Sequence, residues 1–271
     1  MRIGFIGVND LPGVEKDARF AAEHGFDGIE FNYWHAKPWG DFDEDVDAET
    51  IARMRGILDE HGVRTSALGL WGSNHISPDP VERQESLNRL DQAIEFAKSL
   101  GATILITGGG QIPDASLEEN VVEFVKVFPP FVERAHKAGL KIALYAGHGN
   151  SFFDSAEAYE RVWEHIPEVG IKLDCANIKH HGDEHLPILR DHGDRVFHVH
   201  IKEHLYIHGE LASQPAAGMG DIEWGKVMAF LYEHSYDGYL SIEPHGPIWG
   251  YAPLRRTMLL LSQRHIQQFL L

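Results

Sequence analysis

"VFHVHIK", residues 196–202, is one of a series of short apolar runs that recur along this 271-residue sequence. Side chains alternate between the two faces of an extended strand, so His198, His200 and Lys202 share one face. Burying imidazoles and an ammonium group is costly unless each finds a charge partner or a metal. The run therefore predicts a buried strand whose polar groups are paired with opposite charges or with a metal ion.

Seven further runs of this kind lie along the chain, separated by segments with helical, amphipathic patterning. They cover residues 2–8, 27–32, 63–71, 102–108, 141–147, 169–175 and 239–244. Repeated alternation of apolar strands and helices predicts a parallel sheet covered by helices. Eight such units most simply close into an α/β fold of the (β/α)8 TIM-barrel type, as one domain over residues 1–271. A doubly wound open sheet is the alternative, although no G-x-G-x-x-G pattern follows the first run.

The composition limits the classes of partner. The 41 acidic and 24 basic residues give a formal net charge of −17. Nucleic-acid binders need a positive surface and anionic membranes repel an acidic one, so we expect neither partner. Cys175 is the single cysteine, and no secretory or transmembrane run is visible, so we expect a cytoplasmic protein without disulfides. General frequencies favour a homodimer or a homotetramer.

Polar side chains at the C-terminal ends of barrel strands converge on one site. In this chain they are Glu30, Trp71, His75, His148, Asp174, His198, His200, Lys202, Glu243 and His245. Asp174, His200 and Glu243 end three consecutive strands. Two carboxylates and an imidazole form a mixed ligand set that suits Mn²⁺, Co²⁺, Fe²⁺ or Zn²⁺ better than Ca²⁺. An ion-paired network without a metal is the alternative interpretation.

Two long connections leave the C-terminal ends of strands, at residues 33–47 and 203–221, and could form lids or substrate walls. Four tryptophans lie in or just after such connections: Trp34, Trp39, Trp71 and Trp249. An indole ring can stack on the apolar face of a sugar, although ordinary loop packing is the alternative. We expect at least one of the four to contact the substrate.

Four motifs, in this order along eight units, resemble the xylose isomerase-like TIM-barrel superfamily, often labelled sugar phosphate isomerase/epimerase. They are KLDCAN (172–177), FHVHIKE (197–203), PAAGMGDIEW (215–224) and GYLSIEPHG (238–246). The resemblance covers nearly the whole chain. It implies a divalent metal held by a glutamate after strand five, an aspartate after strand six, a histidine on strand seven and a glutamate on strand eight. By this resemblance Asp174, His200 and Glu243 fill the last three positions.

The sequence departs from the family pattern at strand five. LYAGHGN (144–150) places Ala146 where the resemblance calls for glutamate. His148, two residues further on the same face, could complete the metal shell; water or substrate could take the place; or the metal is weak or lost. We favour the first two together. Asn177 stands where some relatives have a substrate-binding histidine.

The resemblance implies an isomerase or epimerase that acts on a sugar or keto-sugar through a metal-stabilised enediolate. A lyase or hydratase acting on 3-keto-sugars, glycosides or inososes is one alternative, since the missing strand-five glutamate makes two-base epimerisation doubtful. A catalytically reduced sugar-binding barrel is another. An endonuclease of the same superfamily would need basic grooves, which a net charge of −17 does not suggest.

We assign roles to the site residues on this basis. Glu243 is expected to bind the metal and to serve as a base, and His148 or Lys202 to act as general acid or base. His148 also belongs to the expected metal shell. The residues expected to contact the carbohydrate substrate are Glu30, Trp34, Trp71, His75, Asn177, His198, His245 and Trp249.

Overall fold

Eight parallel strands close into a barrel in the computed structural model, which describes residues 1–33, 48–145 and 151–271. The barrel strands are β1 (Arg2–Ile6), β2 (Gly28–Tyr33), β3 (Arg64–Leu70), β4 (Ile104–Thr107), β5 (Lys141–Leu144), β6 (Gly170–Asp174), β7 (Val196–Ile201) and β10 (Tyr239–Ile242). Each strand pairs with its neighbour in the chain, and β10 closes the ring between β7 and β1. The predicted (β/α)8 TIM barrel is confirmed, and the open sheet is excluded.

Helices follow the strands and cover the outside of the barrel. They are α1 (Leu11–His24), α2 (Ala48–His61), α3 (Pro80–Leu100), α4 (Leu117–Val127), α5 (Pro129–Lys137), α6 (Ala156–Trp163), α7 (Cys175–His180), α8 (His185–His192), α9 (Trp224–Glu233) and α10 (Arg255–Gln267). No helix in the described part of the chain combines the length and apolar character needed to cross a bilayer.

Local sequence signals set the ends of these helices. Asp10 caps α1 by accepting a hydrogen bond from the backbone N–H of Gly13 at 2.8 Å. The helix ends at Gly25, whose φ of 72° lies in the left-handed region that suits glycine. Ser116 and Glu119 form a reciprocal capping box at the start of α4. After Gly25 the chain re-enters the barrel at Gly28, the first residue of β2.

The apolar core lies between the barrel and its helices. Its largest fully buried side chains include Trp224, Phe5, Phe31 and Phe124. The mouth of the barrel is different, since Glu30, Lys172, His198 and His200 are buried there without being apolar. Buried charged groups need a charge partner or a metal. The polar mouth of the barrel is therefore the candidate site.

The connection after β7 holds an antiparallel hairpin, β8 (Leu205–Ile207) and β9 (Glu210–Ser213). The sequence predicted a long connection here but not its strands. The buried carboxylate of Glu203 fixes the end of the connection. It accepts hydrogen bonds from the backbone N–H groups of Gly218 and Ile222, both at 3.0 Å, and from Trp224 Nε1 at 2.9 Å. These bonds hold the end of the connection against the start of α9.

Candidate active site

Three neighbouring strands bring Asp174, His200 and Glu243 together. Asp174 ends β6 and lies opposite His200 in the β6–β7 register, and Glu243 follows β10 directly. His200 Nδ1 lies 2.7 Å from Glu243 Oε2 and 4.0 Å from Asp174 Oδ2. One ligand atom from each of the three lies within 4.8 Å of the others. Their spacing is that of groups able to share one cation.

His200 lies between two carboxylates. Its Nε2 is 2.9 Å from Glu30 Oε1, on the side of the ring away from Glu243. Glu30 is fully buried on β2 and also accepts a hydrogen bond from His198 Nε2 at 2.8 Å. Because carboxylates only accept when ionised, both nitrogens of His200 donate protons in this arrangement. Burial lowers the pKa of His200, but the carboxylates of Glu30 and Glu243 raise it by more. The net shift of the pKa is upward.

The three carboxylates stay ionised despite their burial. Burial raises the pKa of Glu30, but His200 and His198 lower it by more, and the net shift is downward. Lys172 and Lys202 likewise outweigh burial at Asp174, whose pKa falls to about 2. The pKa of Glu243 is also lowered, since Lys202 and His200 outweigh its burial. All three are negatively charged near neutral pH and can act as ligands.

Two buried ammonium groups accompany the carboxylates. Lys172 Nζ donates to Asp174 Oδ2 at 2.8 Å, and Lys202 Nζ donates to Glu243 Oε1 at 3.2 Å. Lys202 was predicted from the sequence, whereas Lys172 was not. The signal was present, because Lys172 precedes Asp174 by two residues on β6 and so points to the same face.

Other predicted site residues surround this centre. Trp71 is partly exposed, and its ring centroid lies 6.0 Å from that of His200. His245 Nδ1 is 3.0 Å from Glu243 Oε1. Asn177 is buried in α7, where its backbone N–H donates to Asp174 Oδ1 at 3.0 Å. These contacts place Trp71 and His245 beside the three candidate ligands. Asn177 contacts Asp174 through its backbone N–H.

The remaining predicted residues lie elsewhere or outside the described chain. His75 is fully buried, with its ring nitrogens 2.9 Å from Thr107 Oγ1 and 2.9 Å from Ser86 Oγ. Burial lowers the pKa of His75 to about 3, so the ring is neutral. His198 lies beneath His200 against Glu30, and Trp249 is partly exposed in the loop after β10. Trp34, Trp39, Ala146 and His148 lie outside the described residues.

The described residues fit a divalent transition metal. Two ionised carboxylates and one imidazole are suitable donors, and Glu30 would fix the ring of His200 with Nδ1 towards the ion. Glu30 thus takes the place that carboxylates hold behind metal-ligating histidines, hydrogen-bonded to the ring nitrogen that does not face the ion. Asp174, His200 and Glu243 would hold the metal.

A family profile described as "Xylose isomerase-like TIM barrel" matches residues 18–261. The chain belongs to this family. Among curated proteins, inosose dehydratase of Lactiplantibacillus plantarum is 23% identical over 232 residues, which are 75% of this chain and 76% of that protein. The family assignment confirms the resemblance read from the four motifs.

Solved structures share the fold of this family member. A D-allulose 3-epimerase from Methylomonas sp. in complex with D-allulose has a TM-score of 0.78 and 19% identity, covering 98% of this chain and 97% of that one. The IOLI protein with a bound zinc atom has a TM-score of 0.79 and 18% identity, covering 99% and 98%. At these identities the similarity establishes the architecture.

Proposed function

We propose that this protein is a divalent-metal-dependent isomerase or epimerase that acts on a sugar or keto-sugar by moving a proton beside a carbonyl group. The observation that carries the proposal is the convergence of Asp174, His200 and Glu243, whose ligand atoms lie within 4.8 Å of one another. The D-allulose complex and the zinc-bound relative support a carbohydrate ligand and a metal. The metal is Mn²⁺, Co²⁺, Fe²⁺ or Zn²⁺ on the chemistry of its donors.

A bound divalent ion would withdraw electron density from a carbonyl and its neighbouring hydroxyl, and so acidify the C–H bond between them. The chain supplies the proton acceptor. Glu243 Oε2 faces His200, while its Oε1 faces Lys202 at 3.2 Å and His245 at 3.0 Å. We assign Glu243 the role of a ligand through Oε2 and that of a base through Oε1.

Lys202 would act beside this base as a fixed positive charge and hydrogen-bond donor. Burial lowers the pKa of Lys202, but Glu243 and Asp174 raise it by more, so the group stays protonated. An ammonium group held there stabilises negative charge that develops on the substrate oxygens. The predicted role of His148 in acid–base catalysis stays a prediction, as do a cytoplasmic location and a dimeric or tetrameric assembly.

An elimination reaction is the second candidate, and the inosose dehydratase relative favours it. Elimination begins with the same step, removal of a proton next to a carbonyl, and then expels a neighbouring hydroxyl as water. One base on the described residues suffices for it. Epimerisation asks for proton acceptors on both faces of the sugar.

Deuterium exchange tests the proposed function. The Mn²⁺-loaded protein would be incubated in D₂O with D-fructose, D-allulose and scyllo-inosose. The molecular masses of the products would be measured by mass spectrometry. Gain of one deuterium supports isomerisation or epimerisation, and loss of one water supports elimination. Glu243→Gln should abolish either signal in a folded protein, whereas Glu233→Gln, at an exposed helical position, should retain it.

Two results would count against the proposal. Exchange that survives removal of the metal by a chelator would remove the metal from the reaction. Binding of these sugars without any exchange or water loss would favour the reduced sugar-binding barrel instead.

A further inference from the structure

Asn32 is a polar residue at the barrel mouth that has no role in the candidate ligand set. It lies on β2 two residues after Glu30, so the two side chains share the face that points into the barrel. Glu30 is fully buried and bonded to His200, whereas Asn32, nearer the C-terminal end of the strand, is partly exposed. Because barrel sites lie at these strand ends, Asn32 is placed where a substrate approaches the ligand set.

The side-chain amide of Asn32 is oriented by Trp71. Trp71 Nε1 donates to Asn32 Oδ1 at 2.6 Å. An indole N–H is only a donor, so it fixes the oxygen of the amide towards the ring and turns the NH₂ group away from it. The other hydrogen bonds of Asn32 within the described ranges use its backbone, so both N–H donors of Nδ2 are unused there. The partly exposed amide therefore offers two donors to a ligand.

The amide and the indole are both held in place. Asn9 Nδ2 donates to Asn32 O at 2.8 Å, and the backbone N–H of Asn32 donates to Asn9 Oδ1 at 3.2 Å. Gly69 lies opposite Asn32 in the β2–β3 register, and a Cβ there would overlap the indole of Trp71. The indole therefore packs directly on the strand backbone, and the ring of Tyr145 meets it edge-on at a centroid distance of 4.9 Å.

The pair formed by Asn32 and Trp71 suits a carbohydrate beside the ligand set. The indole centroid lies 6.0 Å from that of His200. A sugar presents apolar C–H faces that pack on an aromatic ring, together with hydroxyl oxygens that need donors. The indole supplies the apolar surface, and the NH₂ group of Asn32 supplies the donors.

We infer that Asn32 determines specificity at this site, with Nδ2 donating to a hydroxyl oxygen of a sugar whose C–H face packs on Trp71. The inference rests on the proposed function, because it takes the carbohydrate of that site as the ligand. It deepens that proposal by naming a residue that distinguishes a hydroxyl group from a hydrogen atom on the sugar.

A role limited to holding Trp71 makes a different prediction. Asn32→Asp keeps an oxygen that accepts from Trp71 Nε1 but has no N–H donor, whereas Asn32→Leu loses both functions. If Asn32 only held the indole, Asn32→Asp would distinguish sugars as the wild type does. Asn88→Asp makes the same chemical change at an exposed position on α3 and serves as the control.

Calorimetric titration of the Zn²⁺-loaded protein would compare D-fructose with its 1-, 3-, 4- and 6-deoxy derivatives. The wild type should prefer D-fructose over the derivative that lacks the hydroxyl contacted by Asn32. In Asn32→Asp this preference should fall by about tenfold, the size of one hydrogen bond, while the preferences over the other derivatives stay unchanged. Asn88→Asp should keep every preference of the wild type.

Nuclear magnetic resonance checks the orientation of Trp71 on the same diamagnetic samples. The indole N–H signal of Trp71, assigned by its loss in Trp71→Phe, should stay hydrogen-bonded in Asn32→Asp and move upfield in Asn32→Leu. In the wild type, the side-chain NH₂ signals of Asn32 should shift when D-fructose is added. This last measurement needs no variant, so it decides the inference even where Asn32→Asp fails to fold.

Unchanged preferences in a folded Asn32→Asp protein would overturn the inference, and so would NH₂ signals of Asn32 that ignore the sugar. Failure of the wild type to bind D-fructose or any derivative would overturn it as well. Deuterium exchange separates the two proposals. Exchange by a protein whose preferences do not depend on Asn32 defeats this inference alone. A preference that depends on Asn32, in a protein without exchange or water loss, supports the contact and defeats the proposed reaction.

Discussion

His200 Nε2 lies 2.9 Å from Glu30 Oε1, while His200 Nδ1 on the other side of the ring lies 2.7 Å from Glu243 Oε2. Glu30 comes from β2 and His200 from β7, so the contact crosses the barrel interior. A carboxylate at Nε2 holds the ring in one orientation and keeps the proton on that nitrogen. Nδ1 is then the nitrogen that faces Asp174 and Glu243.

Glu30→Gln should therefore weaken metal binding without touching a ligand. We expect Mn²⁺ affinity to fall by about ten- to a hundredfold, the usual cost of losing a carboxylate behind a metal-ligating histidine. Calorimetric titration with Mn²⁺ measures the effect, and circular dichroism checks the fold. Glu233→Gln, the exposed control, should bind Mn²⁺ as the wild type does. A folded Glu30→Gln protein with wild-type affinity would show that Glu30 does not orient His200.

The buried ring of His75 should make stability depend on pH. Burial lowers its pKa from 6.5 to about 3, so between these values the unfolded chain binds a proton that the folded chain does not. Stability therefore falls as the pH drops from 6.5 towards 3, by about 1.4 kcal/mol per pH unit from this group. Above pH 6.5 the contribution is constant.

Glutamine does not bind a proton in this pH range, so His75→Gln removes the proton uptake on unfolding that His75 causes. Its amide can still hydrogen-bond Thr107 and Ser86. The free energy of unfolding, measured in urea between pH 5 and 6.5, should fall less steeply with decreasing pH than in the wild type. His165→Gln, at an exposed position, controls for the loss of one histidine. Identical pH slopes for His75→Gln and the wild type would refute the assignment.

Glu203 should hold the connection between β7 and α9 in place. Its buried carboxylate accepts from the N–H groups of Gly218, Ile222 and Trp224, each of which would lose its partner in Glu203→Ala. Unsatisfied buried donors cost about 1–3 kcal/mol each, so we expect the variant to lose several kcal/mol of stability unless the connection opens to water. Hydrogen exchange would then accelerate first at residues 205–222.

The exposed neighbour Glu223 supplies the comparison. Glu223→Ala removes an ion pair with Lys226 at the surface and should change stability by less than about 0.5 kcal/mol. Equal losses in the two variants, or unchanged exchange at residues 205–222 in Glu203→Ala, would contradict the role given to Glu203.

The barrel was predictable because its strands are buried on both faces. Every predicted run overlaps one barrel strand, and the ends of those strands identified Asp174, His200 and Glu243. A strand that is buried on both faces needs apolar side chains at nearly every position, so it appears in the sequence as an apolar run. The ligand set follows from the fold, since parallel strands deliver their C-terminal ends to one side.

The contact of Lys172 and the position of the His75 ring could not be predicted from the sequence. They depend on the reach of a side chain and on the direction of a loop. Lys172 starts one layer below Asp174, but its long side chain reaches that carboxylate. His75 follows β3, yet its ring turns between Ser86 on α3 and Thr107 on β4 instead of into the mouth. Alternation along β6 predicts that Lys172 and Asp174 share a face but not that the ammonium group reaches the carboxylate, and it says nothing of His75, which lies after the end of β3.

The turn of the β8–β9 hairpin carries a signal in the sequence, the pair His208-Gly209. His208 and Gly209 have φ values of 54° and 85°, as the two central residues of a tight hairpin turn require. The same His-Gly pair ends helices elsewhere in this chain, for example at His24 and Gly25. The His-Gly pair alone therefore does not distinguish a hairpin turn from a helix end.

Anomalous diffraction from crystals of the Mn²⁺-loaded protein is the most direct measurement of the central claim. We predict one strong peak per chain at about 2.0–2.3 Å from an Asp174 oxygen, His200 Nδ1 and a Glu243 oxygen. A peak held by other residues, or no peak between these three side chains at saturating Mn²⁺, would contradict the account.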